Sequence, residues 1–167
     1  MAACPNTLEN LEGLCDITLG FKGLAYIARE DEVATIGAAV DGVIPTITMV
    51  ATKKFFSIQI AAAPGKNKIE ATAQGDVDAS FFENKCELVV PGGEGNASSV
   101  ISDTRKNRYI VIVPDKDGKK WVLGEKEDGA TIKPKWVHDG SVKQYTLEIT
   151  ATSKFLPLEF SGTVPTT

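Results

Sequence analysis

The stretch that decides the fold is RYIVIVP (residues 108–114), followed by DKDG (115–118) and KKWVLGE (119–125). β-branched and aromatic residues fill both flanking segments, and an Asp-Gly turn between such segments is the strongest short-range signal of a β-hairpin. The segment YIVIV (109–113) is apolar at every position. Because a strand with one face in water alternates polar and apolar residues, this segment predicts a central strand covered on both faces.

The same succession of strands and turns continues towards the C-terminus. Two more turns, KEDG (126–129) and HDGS (138–141), enclose a predicted strand, ATIKPKWV (130–137). Residues 143–152 alternate apolar Tyr, Leu, Ile and Ala with polar Gln, Thr, Glu and Thr, which predicts a strand with one buried and one exposed face. A short strand within residues 155–160 is the last one predicted.

The first half of the chain has weaker strand patterns. Residues 16–28 alternate well enough for a strand. Residues 46–51 and 55–62 predict a hairpin around the two lysines at 53 and 54. Residues 68–73 alternate strictly between apolar and polar side chains, which predicts a half-buried antiparallel strand.

The segment between residues 79 and 107 contains the one predicted helix. Residues 79–90 fit either a helix or a strand, and the two valines before Pro91 favour a strand over residues 87–90. After a glycine-rich linker, Asn96 is the predicted N-cap of a short helix.

These patterns predict a single domain of mainly β structure. We expect an N-terminal arm over residues 1–13, a β-rich domain over residues 14–162 and a C-terminal tail over residues 163–167. The tail belongs to a segment, SGTVPTT (161–167), that we expect to be frayed. The expected fold class is an antiparallel β-sandwich or barrel with one short flanking α-helix.

The composition argues against nucleic-acid and membrane binding. The chain carries 22 acidic and 18 basic residues mixed along its length, a net charge of −4, whereas a nucleic-acid grip needs a basic patch. No apolar run reaches the roughly 20 residues that cross a bilayer. Residues 1–13 lack the basic and apolar regions of a signal peptide, so we expect the chain to fold in the cytosol.

The three cysteines are expected to be free thiols. Cys4, Cys15 and Cys86 form an odd set in a chain expected to be cytosolic, where disulfides are rare. A Cys4–Cys15 disulfide remains an alternative. There is no C-x-x-C pair, and a single histidine cannot complete a zinc site with cysteines so far apart in sequence.

The remaining chemical candidates each have a structural explanation. DKDG (115–118) places its glycine fourth rather than sixth, which favours a hairpin turn over a calcium loop. His138 stands beside Asp139 in a turn, without a second histidine to serve a serine or cysteine nucleophile. Trp121 and Trp136 lie in predicted strands, where packing in a core or interface is expected. The sequence therefore predicts a protein that is not an enzyme and that holds no cofactor or metal.

The order of elements in residues 96–160 resembles a known family. A short helix leads to NRYIVIV (107–113), a DKDG hairpin ending in Leu-Gly, an Asp-Gly turn and the closing strand YTLEITAT (145–152). This order is similar to the tail tube proteins of tailed bacteriophages and the related tubes of contractile injection machines.

The resemblance implies a structural virion protein that assembles with itself. Six copies would close into a ring through sheet edges, and rings would stack into the hollow tail tube, assembled in the host cytoplasm and joined to other tail proteins. DNA would pass through without specific binding, and acidic side chains facing the lumen would keep it from sticking. Glu70 and Glu148, on polar strand faces, are the candidates for that role.

Two alternatives remain open at this stage. One is another structural protein, a capsid decoration or head–tail joining protein. The other is an immunoglobulin-like adhesion or carbohydrate-binding module, which would require Trp121 and Trp136 to form an aromatic platform on one surface.

Overall fold

The computed structural model describes residues 21–61, 66–92 and 95–166, without the side chains of residues 95–97. Within them are twelve strands and one α-helix, joined by turns and short 3-10 segments. In chain order these are β1 (Leu24–Arg29), β2 (Val33–Ile36), β3 (Val43–Ile44), β4 (Ile47–Met49), β5 (Phe56–Gln59), β6 (Lys68–Gln74), β7 (Phe81–Pro91), α1 (Gly95–Asp103), β8 (Tyr109–Pro114), β9 (Lys120–Leu123), β10 (Thr131–His138), β11 (Lys143–Ser153) and β12 (Leu158–Phe160).

The described strands form three sheets. A six-stranded sheet has the order β3-β12-β9-β8-β1-β5, and a four-stranded sheet has the order β10-β11-β7-β6. A small ribbon pairs β2 with β4. All neighbouring strands are antiparallel except β12 and β3. The expected mainly β class with a single short helix is confirmed, and the arrangement is a layered sandwich without a closed barrel.

The six-stranded sheet is the middle layer because it has apolar side chains on both faces. One face packs against the four-stranded sheet through a cluster that includes Val111, Val113, Leu123 and Leu147. The other face packs against the ribbon and the C-terminal segment through a second cluster that includes Ile110 and Ile112. All six residues of β8 are buried. The prediction of a central, doubly covered strand at YIVIV is therefore confirmed.

Two of the three predicted turns form hairpins. DKDG joins β8 to β9, with Gly118 at φ 88°, and HDGS joins β10 to β11, with Gly140 at φ 87°. The turn at KEDG is real as well, but it leads from the six-stranded to the four-stranded sheet. Its left-handed residue is Glu127 at φ 74°.

The predicted hairpin over residues 46–62 is wrong. β4 pairs back with β2 in the ribbon, whereas β5 joins the six-stranded sheet beside β1. The two segments leave their turn in different directions because each finds its partner among strands earlier in the chain. Buried Phe55, next to β5, belongs to the cluster on the ribbon side of the middle sheet.

The segment between residues 79 and 107 needs two corrections. The strand predicted over residues 87–90 begins earlier, at Phe81, and pairs along its length with β11 and β6. This pairing excludes the helix that residues 79–90 also fitted. The predicted helix is present but begins at Gly95, so Asn96 lies inside it rather than at the N-cap.

The C-terminal segment is not frayed as predicted. The Phe55 amide donates to the Pro165 carbonyl at 2.8 Å, and the Ser161 amide donates to the Ile44 carbonyl at 3.1 Å. Val164 packs against the ribbon-side cluster. This segment therefore covers the edge of the core. The predicted arm over residues 1–13, which includes Cys4, lies outside the described residues, and so does Cys15.

Candidate functional site

The four-stranded sheet ends in two edges whose outer sides pair with no other described strand. These edges are β6 and β10, with β11 and β7 between them, and the 3-10 segment Thr104–Lys106 contacts β10. An open strand edge presents unpaired N–H and C=O groups, which makes it a natural place for another chain to add. The two edges are therefore the candidate functional surface.

The β10 edge is basic and partly apolar. Residues 131–143, which comprise β10, the turn after it and the first residue of β11, contain three lysines and one aspartate. Neither Lys133 nor Lys135 has an ion pair within the described part of the chain. Trp136 is 55% exposed, and its ring meets His138 edge-on at 5.8 Å. Pro134 lies within the strand, as expected for an edge, since proline cannot donate to a ladder.

The β6 edge has the opposite charge. Residues 68–80, which comprise β6 and the turn that follows it, contain one lysine and three carboxylates. Glu70 is 59% exposed and bonds to Lys68 at 3.3 Å on the same strand. In the following turn Val77 is 96% exposed between two aspartates. β6 itself carries one lysine and one glutamate, and the two aspartates of the turn make residues 68–80 acidic. The segments 68–80 and 131–143 therefore carry net charges of opposite sign.

The face of the four-stranded sheet turned away from the core is polar and mixed in charge. Strand register places Glu148 opposite Glu87, and Glu87 opposite Lys68. It also places Glu70 opposite Lys85, one row away on the same face. The two lumen candidates, Glu70 and Glu148, thus lie on one face. That face carries equal numbers of glutamates and lysines, at positions 70, 83, 87 and 148 and at positions 68, 85, 133 and 135. The charge of this face is therefore balanced.

His138 and Asp139 are part of a turn. The Gly140 amide donates to His138 Nδ1 at 3.0 Å. The Asp139 carboxylate accepts from the Val142 amide at 2.8 Å and from the Ser141 amide at 2.9 Å. Hydrogen bonds from Val142 and then Ser141 hold the pKa of Asp139 below its usual range. Both side chains thus serve the hairpin that they close.

The two tryptophans belong to different sheets. Trp121 is half-buried in β9, and its Nε1 donates to Asp115 Oδ2 at 3.1 Å. Trp136 lies on β10 and is too exposed for the core packing considered from the sequence. No ring contact joins the two indoles in the described chain.

DKDG is a hairpin turn built around a buried carboxylate. Asp115 is 2% exposed. Its Oδ1 accepts from the amides of Asp117 at 3.0 Å and Lys119 at 2.9 Å. These bonds use the carboxylate to hold the turn. Across residues 21–61, 66–92 and 95–166, no group of three or more His, Cys, Asp or Glu side chains could hold a metal.

Cys86 is an inert thiol in the core. It is fully buried between the two large sheets. Burial, and secondarily the charge of Glu87, raises the pKa of the thiol well above its usual range, and the reactive form of a cysteine is the thiolate. The expectation of a buried free thiol is therefore confirmed for Cys86, while Cys4 and Cys15 lie outside the described residues.

One cavity of about 240 Å³ lies between the layers, near Ser153 and the turn at Glu125. Ser153 Oγ bonds to the Glu125 carboxylate, and no histidine lines the cavity. Asn84 lines it as well: its Nδ2 donates to the Phe155 carbonyl at 3.2 Å, and its Oδ1 accepts no hydrogen bond from the described chain. In this cavity Ser153 is paired with a carboxylate and not with a histidine.

Comparison with known proteins adds no assignment. No protein-family model matches the chain, and no curated protein matches its sequence significantly. No helix among the described residues is long and apolar enough to cross a membrane.

The opposed charges of the two edges were missed at the level of sequence. A signal for them was present, because the predicted strand ATIKPKWV has two lysines and a proline. Lysine and proline are typical of edge strands. What the sequence lacked was the strand order, which makes β6 and β10 the two ends of one sheet.

Proposed function

We propose that this protein is a self-assembling structural subunit whose copies form closed rings, and that the rings stack into a hollow tube of the phage-tail type. The observation that supports this best is the pair of open, oppositely charged edges on one sheet, β6 and β10. Opposite charges on two different edges favour head-to-tail contact between identical copies.

The strand directions make such contact geometrically simple. β10, β11, β7 and β6 alternate in direction, because every pair in this sheet is antiparallel. β6 and β10 therefore run in opposite directions. A second copy related by rotation about an axis brings its β10 antiparallel to β6 of the first. Repetition of this step closes a ring, and closure leaves no open edge in that sheet.

The polar face of the sheet is the natural lining of such a ring. The opposite face is already packed against the six-stranded sheet, so only the face with the glutamates and lysines is free to meet solvent. A lining with balanced charge has no strong net attraction for a polyanion, in keeping with DNA passing without specific binding. In this proposal the protein acts in the virion tail, after assembly in the host cytoplasm beside other tail proteins.

Electron microscopy of the purified protein tests the proposal. We expect hollow rings or tubes. Adding Ala71→Lys and Ala73→Lys to the exposed β6 edge should raise the concentration needed for assembly by at least about tenfold, because like charges would then face the basic β10 edge of the next copy. Ala38→Lys, in an exposed loop, is the matched control and should assemble as the natural protein does.

A monomer that stays featureless at high concentration would overturn the proposal. Far-ultraviolet circular dichroism and urea unfolding of each variant establish that the subunit is folded, so that a loss of assembly reports on the edge alone.

A further inference from the structure

Two side chains of the β10 edge, Lys135 and Trp136, are exposed in the described chain. Trp136 is 55% exposed although it lies on the core-facing side of its strand, opposite buried Tyr145. Lys135 points to the polar face and has no ion pair within the described residues. A large exposed aromatic beside an open strand edge is typical of a surface that another chain covers.

The β6 edge offers suitable partners on each face. Strand pairing puts Ile69 in the row of Cys86 and Ile149, on the core-facing side, where it packs against the main cluster and stays partly exposed. Glu70 is the next residue and lies on the polar face.

A continuous sheet restricts how the two edges can align. A register slip of one residue would exchange the two faces, so allowed registers differ by two residues. With Glu70 opposite Lys135 of the next copy, Ile69 falls opposite Trp136. Opposite charges and apolar side chains then meet in the same register, and such cross-strand pairs stabilise a sheet.

The two neighbouring registers are poorer. A shift of two residues in one direction places Lys68 opposite Lys135, which sets like charges against each other. The opposite shift places Glu70 opposite Val137 and leaves Ala71, the smaller side chain, opposite Trp136. The first shift keeps an ion pair, between Glu70 and Lys133, but loses the contact between Ile69 and Trp136. The second shift loses both the ion pair and the large apolar contact.

We propose that the copies join in the first of these registers, with Trp136 of one copy buried against Ile69 of the next and Lys135 paired with Glu70. This inference rests on the proposed function and adds to it the residues that fix the joint. The partner is a second copy of this chain, recognised by one charge pair on the polar face and one aromatic contact on the core-facing side.

Charge exchange tests the pairing. Glu70→Lys alone and Lys135→Glu alone should each raise the concentration needed for assembly by about tenfold or more, because each sets like charges across the joint. The double variant should return to within about threefold of the natural protein. The matched control combines Glu70→Lys with Lys133→Glu. Lys133 lies on the same face of β10 as Lys135, two residues away, so this control should not recover assembly.

Tryptophan fluorescence reports on the aromatic contact. In a Trp121→Phe background, Trp136 emission should shift to shorter wavelength as the particles form, because the indole leaves water.

The outcomes separate this inference from the proposed function. Rings that form without recovery by the double variant, or with Trp136 emission unchanged, overturn the register and leave the ring proposal standing. A natural protein that forms no rings overturns both.

Discussion

Asp115 is the residue on which the β8–β9 hairpin depends most. Its buried carboxylate accepts from two amides of the turn and from the Trp121 indole. Asp115→Ala should lower the free energy of unfolding by about 2–3 kcal/mol, because hydrogen bonds to a charged group are worth about 1.5–3 kcal/mol and buried donors would be left unpaired. Urea denaturation measures the change.

The exposed side chain of Lys116, in the same turn, provides the control. Lys116→Ala should change the free energy of unfolding by less than about 0.5 kcal/mol. Asp115→Asn retains an acceptor oxygen, so its loss in the free energy of unfolding should lie between those of Asp115→Ala and Lys116→Ala. Equal losses for all three variants would contradict the role given to the carboxylate.

Asp139 is expected to titrate below the ordinary aspartate pKa of about 3.9. The amides of Val142 and Ser141 bond to its ionised form in the folded hairpin. The contribution of Asp139 to stability is therefore complete above the unfolded pKa and is lost as the pH falls through the folded pKa. Carboxyl-carbon NMR titration of the folded protein, with the urea-unfolded chain as reference, measures both values. Equal values in the two states would refute this assignment.

At the scale of elements, the chain crosses from the six-stranded sheet to the four-stranded sheet after β9, and this crossing depends on Gly124. It follows β9 at φ 94°, and a Cβ there would lie 2.7 Å from the Tyr109 carbonyl oxygen and 2.9 Å from the Ala130 amide nitrogen. Gly124→Ala should cost at least about 3 kcal/mol, since it adds a clash with backbone to the cost of a left-handed alanine.

Gly118 is a matched comparison, because it has φ 88° and nothing within 4 Å of the added Cβ. Gly118→Ala should lower the free energy of unfolding by only about 1–2 kcal/mol, which is the cost of placing an alanine in the left-handed conformation. Thermal and urea unfolding of the two variants give the difference. A Gly118 variant as unstable as the Gly124 variant would show that the contacts with Tyr109 and Ala130 do not matter.

Elements with local signals could be predicted from the sequence, and those defined by distant pairing could not. YIVIV was predicted correctly from its continuous run of apolar residues, and DKDG was predicted correctly from its Asp-Gly turn. Both signals lie within the segment itself. Residues 46–62 contain two strand-like runs around a turn, which locally resemble a hairpin. β5 instead pairs with β1, more than twenty residues earlier in the chain, and no local pattern encodes that choice.

The candidate surface was only partly predictable for the same reason. The polar faces that carry Glu70 and Glu148 follow from alternation, which is local. The balanced charge of the assembled face depends on lysines from three different strands. It becomes visible only once strand order and register are known.

At the scale of the whole molecule, the C-terminal segment is expected to be required for stability. Removing residues 161–167 deletes the carbonyl partner of the Phe55 amide and the packing of Val164. The free energy of unfolding should fall by about 2–5 kcal/mol, from lost apolar burial and two lost backbone hydrogen bonds, those of Phe55 and Ser161. Calorimetry of the truncated chain measures this. Thr163→Ala, at an exposed position, is the control and should have little effect.

The middle position of β8 also has a consequence for how the molecule opens. Its six residues are buried, it pairs with a strand on each side, and each face is covered by another layer. Local fraying of any one layer leaves the amide protons of Ile110 to Val113 shielded. They should therefore exchange with deuterium only when the entire domain unfolds. The free energy of opening calculated from their protection factors should equal the free energy of global unfolding.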